Sequence, residues 1–212
     1  MLQATLECLR YWRREVIGGF AYRRALSKAG VDLGSVSLRR LGLDPRSAHN
    51  HANSGGPDLE VVLRSLEITP SHAVLDLGCG KGGALLTLAR FPFSRVVGLD
   101  LSPEMLDIAR RNLDRMGLHT VELICADASA FDAYDAFTHL YMYNPFPSAV
   151  VQAVMTAVEA SVIAAPRTVT VIYKNPRFHD DVIRGGVFSE VGRMDHSGHP
   201  YIIYRNAAVS GC

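Results

Sequence analysis

The sequence predicts an α/β fold in which a mainly parallel sheet is covered by helices on both faces. From residue 57 onward, short apolar runs alternate with helical patterns. Five of these runs are almost entirely apolar, as is typical of strands buried on both faces. The end of the chain differs, because two further strand patterns flank a turn-rich segment at 195–200 that fits an antiparallel hairpin.

Each element of this fold is predicted from a local pattern. The expected strands are 73–77, 95–100, 120–125, 137–143 and 168–173, followed by hairpin strands at 187–194 and 201–205. The expected helices are 59–66, 84–90, 102–116 and 148–163. Ser102 followed by Pro103 is typical of a helix start, and Gly117 is the expected C-cap of the same helix.

Residues 1–56 fit neither pattern and form a predicted N-terminal helical extension to a main domain at 57–212. A helix to about Lys28 is expected, and then an irregular, lid-like stretch. Residues 1–46 carry nine basic and four acidic residues, whereas 47–212 carry 13 and 17. This asymmetry favours a solvated helix face on an acidic body, with an anionic partner as the alternative. The first helix would either cover the site or pair with a second copy in a homodimer.

Composition excludes several classes of protein. The 212 residues have a net charge of +1, which gives no electrostatic case for nucleic acid or an anionic membrane as partner. The longest apolar stretch, 149–166, is interrupted by Gln152, Thr156 and Glu159, so a core helix is expected and not a membrane span. Four cysteines without a regular spacing, and no signal-peptide pattern at the start, favour a cytoplasmic location.

A glycine-rich run directly after the first strand carries the chemistry. The glycines of Asp76-Leu-Gly78-Cys-Gly80-Lys-Gly-Gly83 allow a tight turn and a close approach of backbone to a ligand. Asp100, at the end of the second strand, stands where a ribose-binding carboxylate is expected. The glycine spacing alone is ambiguous, because it also fits the cofactor-binding turn of a nicotinamide-dependent oxidoreductase.

Three features favour a cationic cofactor. The carboxylate of Asp76 precedes the first glycine, where it would repel a dinucleotide pyrophosphate and attract a cation. Asp127 adds a carboxylate after the third strand, and the hairpin is foreign to an all-parallel dinucleotide fold. A ligand with a sulfonium, an amino group, a ribose and an adenine suits acidic groups at three successive strand ends.

On these motifs, residues 57–206 resemble the class I S-adenosylmethionine-dependent methyltransferases, most specifically over 74–82. The resemblance implies a Rossmann-like, doubly wound sheet of seven strands with the last strand antiparallel. It also implies that the product is S-adenosylhomocysteine. The residues that it places around the cofactor are Asp76, Gly78, Cys79, Gly80, Asp100, Leu101, Asp127 and Ala128. The alternative interpretation is that Asp76 or Asp127 only caps a turn.

The fourth strand ends in Tyr143-Asn144-Pro145-Phe146, which is similar to the Asn-Pro-Pro-aromatic motif of amino-group methyltransferases. Phe146 replaces the second proline of that motif, and a group of small bacterial methyltransferases shares the Tyr-Asn-Pro-Phe turn. A carbonyl such as that of Asn144 would stabilise positive charge developing on a nitrogen nucleophile. Tyr143 and Phe146 could flank the substrate. The alternative is a turn that only ends the strand.

The remaining candidates are histidines and one aromatic residue of the N-terminal helix. A general base would matter most for an oxygen nucleophile, and the candidates are His49, His51 and His179. Tyr11 is either a packing residue or a substrate contact, and His139 is expected in the core. No set of metal ligands is identified.

The sequence therefore predicts an S-adenosylmethionine-dependent enzyme that methylates a nitrogen of a small molecule. The alternatives are O-methylation of a metabolite, methylation of a protein, and a non-catalytic cofactor-binding protein.

Overall fold

The computed structural model describes residues 19–34, 54–196 and 198–207. Seven strands form one sheet in the order β3-β2-β1-β4-β5-β7-β6. Their bounds are β1 Ala73–Leu77, β2 Arg95–Asp100, β3 Glu122–Cys125, β4 His139–Tyr143, β5 Thr170–Lys174, β6 Phe188–His196 and β7 His199–Asn206. β7 runs antiparallel to both of its neighbours, and the other six strands are parallel to one another. The predicted seven-stranded, doubly wound sheet is confirmed.

Helices cover the two faces of this sheet unequally. Residues 19–28 are helical and are called α1 here. The later helices are α2 Pro57–Arg64, α3 Leu85–Leu88, α4 Pro103–Arg115, α5 Ser148–Ala164 and α6 His179–Ile183. α5 and α6 contribute to the core on one face, whereas α1 to α4 contribute to the core on the other. Ligand sites in such sheets lie at the carboxyl ends of the parallel strands, where the strand order reverses between β1 and β4.

Several elements are shorter than their sequence patterns. Residues 84–90 contain only the helix Leu85–Leu88. β4 begins two residues later than expected, because Phe137 ends a 3₁₀ turn and its carbonyl accepts a hydrogen bond from Arg167. β5 also begins two residues late, since the backbone N–H of Val169 donates to the side chain of Asn206. Apolar patterns extend into such flanking turns, where side chains satisfy the backbone.

The described part of the N-terminal extension docks beside the glycine-rich turn. Leu26 of α1 is buried in the core on the α1–α4 face. Lys81, which is 3 % exposed, pairs with Asp32 at 2.8 Å. Asn112 of α4 donates to the carbonyls of Asp32 and Lys81 at 2.8 and 3.0 Å. One buried amide therefore ties residue 32 to the turn.

Candidate cofactor and acceptor site

The turn after β1 is built from glycines in the left-handed backbone region. Gly78, Gly80 and Gly82 have φ values of 74°, 52° and 80°, which residues with a Cβ adopt only with strain. The N–H groups of Gly78 and Cys79 donate to the carbonyl of Leu99 at 2.8 and 3.0 Å. β2 thus holds the turn in place at the end of the sheet.

A second contact joins this turn to the predicted acceptor segment. A Cβ at Gly78 would lie 2.5 Å from Cβ of Pro145 and 3.6 Å from the ring of Phe146. Phe146 is 7 % exposed and belongs to the core on the α5 and α6 face. The structure therefore gives the Phe146 ring a packing role beneath the turn.

Asp76 is an isolated buried carboxylate at the end of β1. The residue is 2 % exposed, and no described residue offers Oδ2 a hydrogen bond. Burial, followed by the charge of Asp100, raises the pKa of Asp76 well above its usual range. A native fold rarely leaves a buried carboxylate oxygen without a partner. This position is suited to a ligand that brings a cation or N–H donors.

Asp100 lies beside it at the end of β2 and orders two loops. Its Oδ2 accepts from the N–H of Gly80 at 2.8 Å, and its Oδ1 accepts from the N–H of Ser102 at 2.9 Å. Burial raises the pKa of Asp100, although backbone hydrogen bonds from Ser102, Gly80 and Leu101 act in the opposite direction. Each carboxylate oxygen accepts more than one hydrogen bond, so both can also receive a hydroxyl group.

Asp127 occupies the third strand end and caps a turn. The N–H and hydroxyl of Ser129 both donate to Oδ1 of Asp127, at 2.8 and 2.7 Å. The cap explains the local turn, and Oδ2 makes no hydrogen bond to a described residue. Ala128 is buried, and its carbonyl accepts from Tyr134. Leu101, half-buried, lies on the chain that leads from Asp100 to α4.

Cys79 has a structural role in the turn. Its Sγ lies against β2, where a Cβ at Gly98 would come within 2.8 Å of it. Burial, and then the charges of Asp76 and Asp100, raise the pKa of the Cys79 thiol well above its usual range. A thiol without thiolate character is a poor nucleophile, so Cys79 serves as packing beneath the backbone.

At the end of β4, Asn144 takes the left-handed conformation with φ 44°. Its Oδ1 accepts a hydrogen bond from the hydroxyl of Tyr173 at 3.5 Å. After this turn, the carboxylate of Asp181 accepts from Ser148 and Gln152 at the start of α5, and from Arg184. The turn at Asn144 is therefore fixed between β4 and a hydrogen-bonded helix start.

Lys174 is a buried residue of this region that the sequence analysis did not identify. It ends β5, in register with Tyr143 of β4 and Tyr201 of β7. The residue is 4 % exposed, and its Nζ lies 5.1 Å from the Tyr143 ring centroid and 5.3 Å from the Tyr201 ring centroid. A lone lysine at the end of an apolar strand was the available signal.

The segment before α2 also reaches this end of the sheet. The carbonyl of Ser54 accepts from the hydroxyl of Tyr141 at 3.2 Å, and the N–H of Gly56 donates to Thr87 at 2.9 Å. A Cβ at Gly55 would lie 1.9 Å from the carbonyl oxygen of Gly83. Only glycine permits this approach, and no functional motif marks it in the sequence.

Of the three histidines predicted as candidate bases, only His179 lies among the described residues. His179 bonds to the hydroxyl of Tyr204 at 2.9 Å, and Tyr204 belongs to the core on the α5 and α6 face. Tyr11, His49 and His51 lie outside the described residues. His139 is buried against His72 and Phe93, as predicted for a core residue.

The described residues contain no group of three His, Cys, Asp or Glu residues arranged to hold a metal ion. None of their helices has the length and apolar character needed to cross a membrane.

Residues 74–162 match a family model described as a methyltransferase domain. The chain is 36 % identical over 103 residues to a release factor glutamine methyltransferase of Chlorobaculum tepidum, covering 42 % of this chain and 35 % of that protein. It is 37 % identical over 105 residues to a demethylmenaquinone methyltransferase of Thermus thermophilus, covering 46 % and 47 %. The chain thus spans less than half the length of these curated relatives.

Solved structures resemble this one in fold. A ribosomal protein L11 methylase from Lactobacillus delbrueckii subsp. bulgaricus superposes with a TM-score of 0.58 at 15 % identity, covering 77 % of this chain and 83 % of the other. An RNA methyltransferase from Salinibacter ruber, in complex with S-adenosyl-L-homocysteine, gives 0.54 at 19 % identity, covering 75 % and 95 %. Together with the strand order, these structures show that the chain has a Rossmann-like fold. The family match places the similarity to a methyltransferase domain in residues 74–162 of that fold.

Proposed function

We propose that this chain is an S-adenosylmethionine-dependent methyltransferase that acts on a nitrogen of a small-molecule acceptor. The buried, unpartnered Oδ2 of Asp76 is the observation that carries the cofactor assignment. S-adenosylmethionine offers an amino group and a sulfonium, both of which compensate a buried negative charge. The family match over 74–162 supports the same cofactor.

The other residues of the site fit the remaining parts of this cofactor. The glycine turn would hold the methionine part of the cofactor, Asp100 would hold the ribose hydroxyls, and Leu101 would contact the adenine. Oδ2 of Asp127 would accept from the adenine amino group, while Oδ1 keeps its bonds to Ser129. A neutral or anionic ligand would leave Asp76 uncompensated.

When bound, the cofactor supplies an electrophilic methyl group on a positively charged sulfur. Asn144 and Tyr143 would position the acceptor nitrogen to face that methyl group. Alignment of this kind supplies much of the rate enhancement and requires no acid. The carbonyl of Asn144 stabilises the positive charge that develops on nitrogen.

Nitrogen is preferred as acceptor because of the turn at Asn144. The left-handed conformation and the bond from Tyr173 hold this side chain at the end of β4. The names of the curated relatives include acceptors as different as release factor glutamine and demethylmenaquinone, so those names favour no single substrate.

Replacement of Asn144 tests this division of roles. Both Asn144→Ala and Asn144→Gly are expected to lower kcat about 100- to 1,000-fold, as loss of one charge-stabilising group does. The Kd for S-adenosylmethionine, measured by calorimetry, should change less than about twofold. Glycine is the matched control, because it tolerates the left-handed backbone that strains alanine. Equal losses of binding and turnover in both variants would refute the proposed role.

A further inference from the structure

Lys174 is the one lysine of the chain that is enclosed without an ion-pair partner among the described residues. The sequence has three lysines, Lys28, Lys81 and Lys174. Lys28 is exposed, and Lys81 pairs with Asp32. No described carboxylate lies within 4 Å of the Lys174 ammonium, and no described oxygen accepts a hydrogen bond from it.

Two aromatic faces replace the missing partner. The rings of Tyr143 and Tyr201 attract the ammonium through their electron-rich faces, but they accept none of its three N–H bonds in the ordinary geometry. Burial lowers the pKa of Lys174, and the charge of Asp58 partly opposes that effect. The ammonium is thus prepared for an oxygen ligand that the described residues do not supply.

The position of Lys174 brings its ammonium, which has no described hydrogen-bond partner, close to the predicted acceptor segment. Tyr143 contacts the ammonium with its ring and directly precedes Asn144. The side chains of Asp76, Tyr143 and Lys174 project from the same face of the sheet, since Asp76 pairs with Tyr141 and Tyr143 pairs with Lys174 across neighbouring strands. A ligand that lies against Tyr143 on this face of the sheet therefore comes close to the Lys174 ammonium.

Building on the proposed function, we propose that the methyl acceptor carries a carboxylate and that Lys174 binds it. An unneutralised ammonium would oppose the positive charge that develops on the acceptor nitrogen, and a carboxylate in the same molecule removes that opposition. One ammonium matches one carboxylate charge. A phosphate dianion fits less well, because residues 47–212 hold 13 basic against 17 acidic residues.

Nuclear magnetic resonance of lysine-labelled protein tests this directly. The full chain with ¹³C-labelled lysine gives three sets of Cε–Hε signals, and Lys28→Arg and Lys81→Arg assign the Lys174 set by elimination. Acetate is titrated into the protein saturated with S-adenosylhomocysteine, with acetamide as the neutral isostere. The Lys174 signal is expected to shift saturably with acetate, with a Kd on the order of 10 mM as for small fragments. The Lys28 signal should not move.

Each other outcome counts against the proposal. A Lys174 signal that is unmoved by acetate, or moved equally by acetamide, shows that the ammonium is only a packing group. A titration with inorganic phosphate that saturates where acetate does not would assign a phosphorylated acceptor instead. Calorimetry with S-adenosylhomocysteine is run on the same samples, so that failure of the cofactor assignment is seen separately from failure of the carboxylate site.

Discussion

Replacing the buried carboxylate of Asp76 with its neutral isostere should stabilise the ligand-free protein. Asp76→Asn keeps the shape of the side chain and removes a charge whose Oδ2 has no described partner. An unsatisfied buried polar group costs about 1–3 kcal/mol, and more when it is charged. For a chain of this size, each kcal/mol corresponds to roughly 2–4 °C in Tm. The variant is therefore expected to melt about 2–12 °C higher than the wild type without cofactor.

The same stabilisation should depend on pH. The pKa of Asp76 is raised in the folded state, so the folded protein holds this proton more tightly than the unfolded chain does. The group therefore favours folding fully below its unfolded pKa of 3.8, and this contribution is lost as the pH rises through the raised pKa. The difference in Tm between Asp76→Asn and the wild type should accordingly widen as the pH rises from about 4.

Cofactor binding should change in the opposite direction. A hydrogen bond to a charged partner contributes about 1.5–3 kcal/mol, so its loss weakens binding about ten- to hundredfold. Ligand binding stabilises the folded state in proportion to the logarithm of ligand concentration over Kd. The rise in Tm that S-adenosylmethionine gives the wild type should shrink or vanish in the variant.

Differential scanning fluorimetry between pH 5 and 9 and isothermal calorimetry measure these two effects. Asp107→Asn is the matched control, since Asp107 is exposed on α4 and its replacement should alter neither quantity by more than the experimental error. If Asp76→Asn lowered Tm, or bound the cofactor as tightly as the wild type, the carboxylate would be structural and the cofactor assignment would lose its main support.

Two further predictions concern the packing of the sheet. Gly98→Ala would place a Cβ 2.6 Å from Leu85 and 2.8 Å from Cys79; overpacking of this kind costs about 1–3 kcal/mol, and a chemical denaturation curve should show it. Gly192→Ala on β6 is the control, because its nearest neighbour is 3.7 Å away, and an equal loss there would refute the argument. Burial lowers the pKa of His139 in the folded protein to about 4, whereas the pKa in the unfolded chain is about 6.5. The neutral His139 side chain therefore contributes fully to stability above pH 6.5, and this contribution is lost as the pH falls toward 4. Thermal melts across that range should show this loss, and His139→Gln should remove it; an unchanged pH profile in the variant would assign the loss to other groups.

Short sequence patterns predicted the part of the fold that surrounds the candidate cofactor site. β1 and β2 have the predicted bounds, since apolar runs ended by glycine or aspartate leave little freedom in register. Ser102 caps α4 as expected, with its Oγ accepting from the N–H of Met105. Gly117 follows the same helix with φ 70°. In each case, neighbours in sequence determine the conformation.

The acceptor side depends on contacts between distant residues, which local patterns do not reveal. The sequence analysis offers Phe146 as a residue that flanks the substrate, and the structure adds a packing contact of its ring with Gly78, 68 positions earlier in the chain. Lys174 gained significance only when strand pairing brought Tyr143 and Tyr201 to either side of it. The first contact requires that β1 and β4 are neighbours in the sheet, and the second requires that β4, β5 and β7 are neighbours.

This contrast has a physical origin. In the proposed site, the groups for the cofactor lie at the ends of three strands or directly after them, so spacing along the chain reports them. The groups proposed for the acceptor come from β4, β5 and β7, and their proximity is a result of folding. In such a site, an enclosed charge without a partner is a stronger indication of the ligand than any motif, because the free energy of burying that charge has to be offset when the ligand binds. Asp76 and Lys174 have opposite charges and lie on the same face of the sheet. They therefore favour opposite charges on the two substrates, a cation on the methyl donor and a carboxylate on the acceptor.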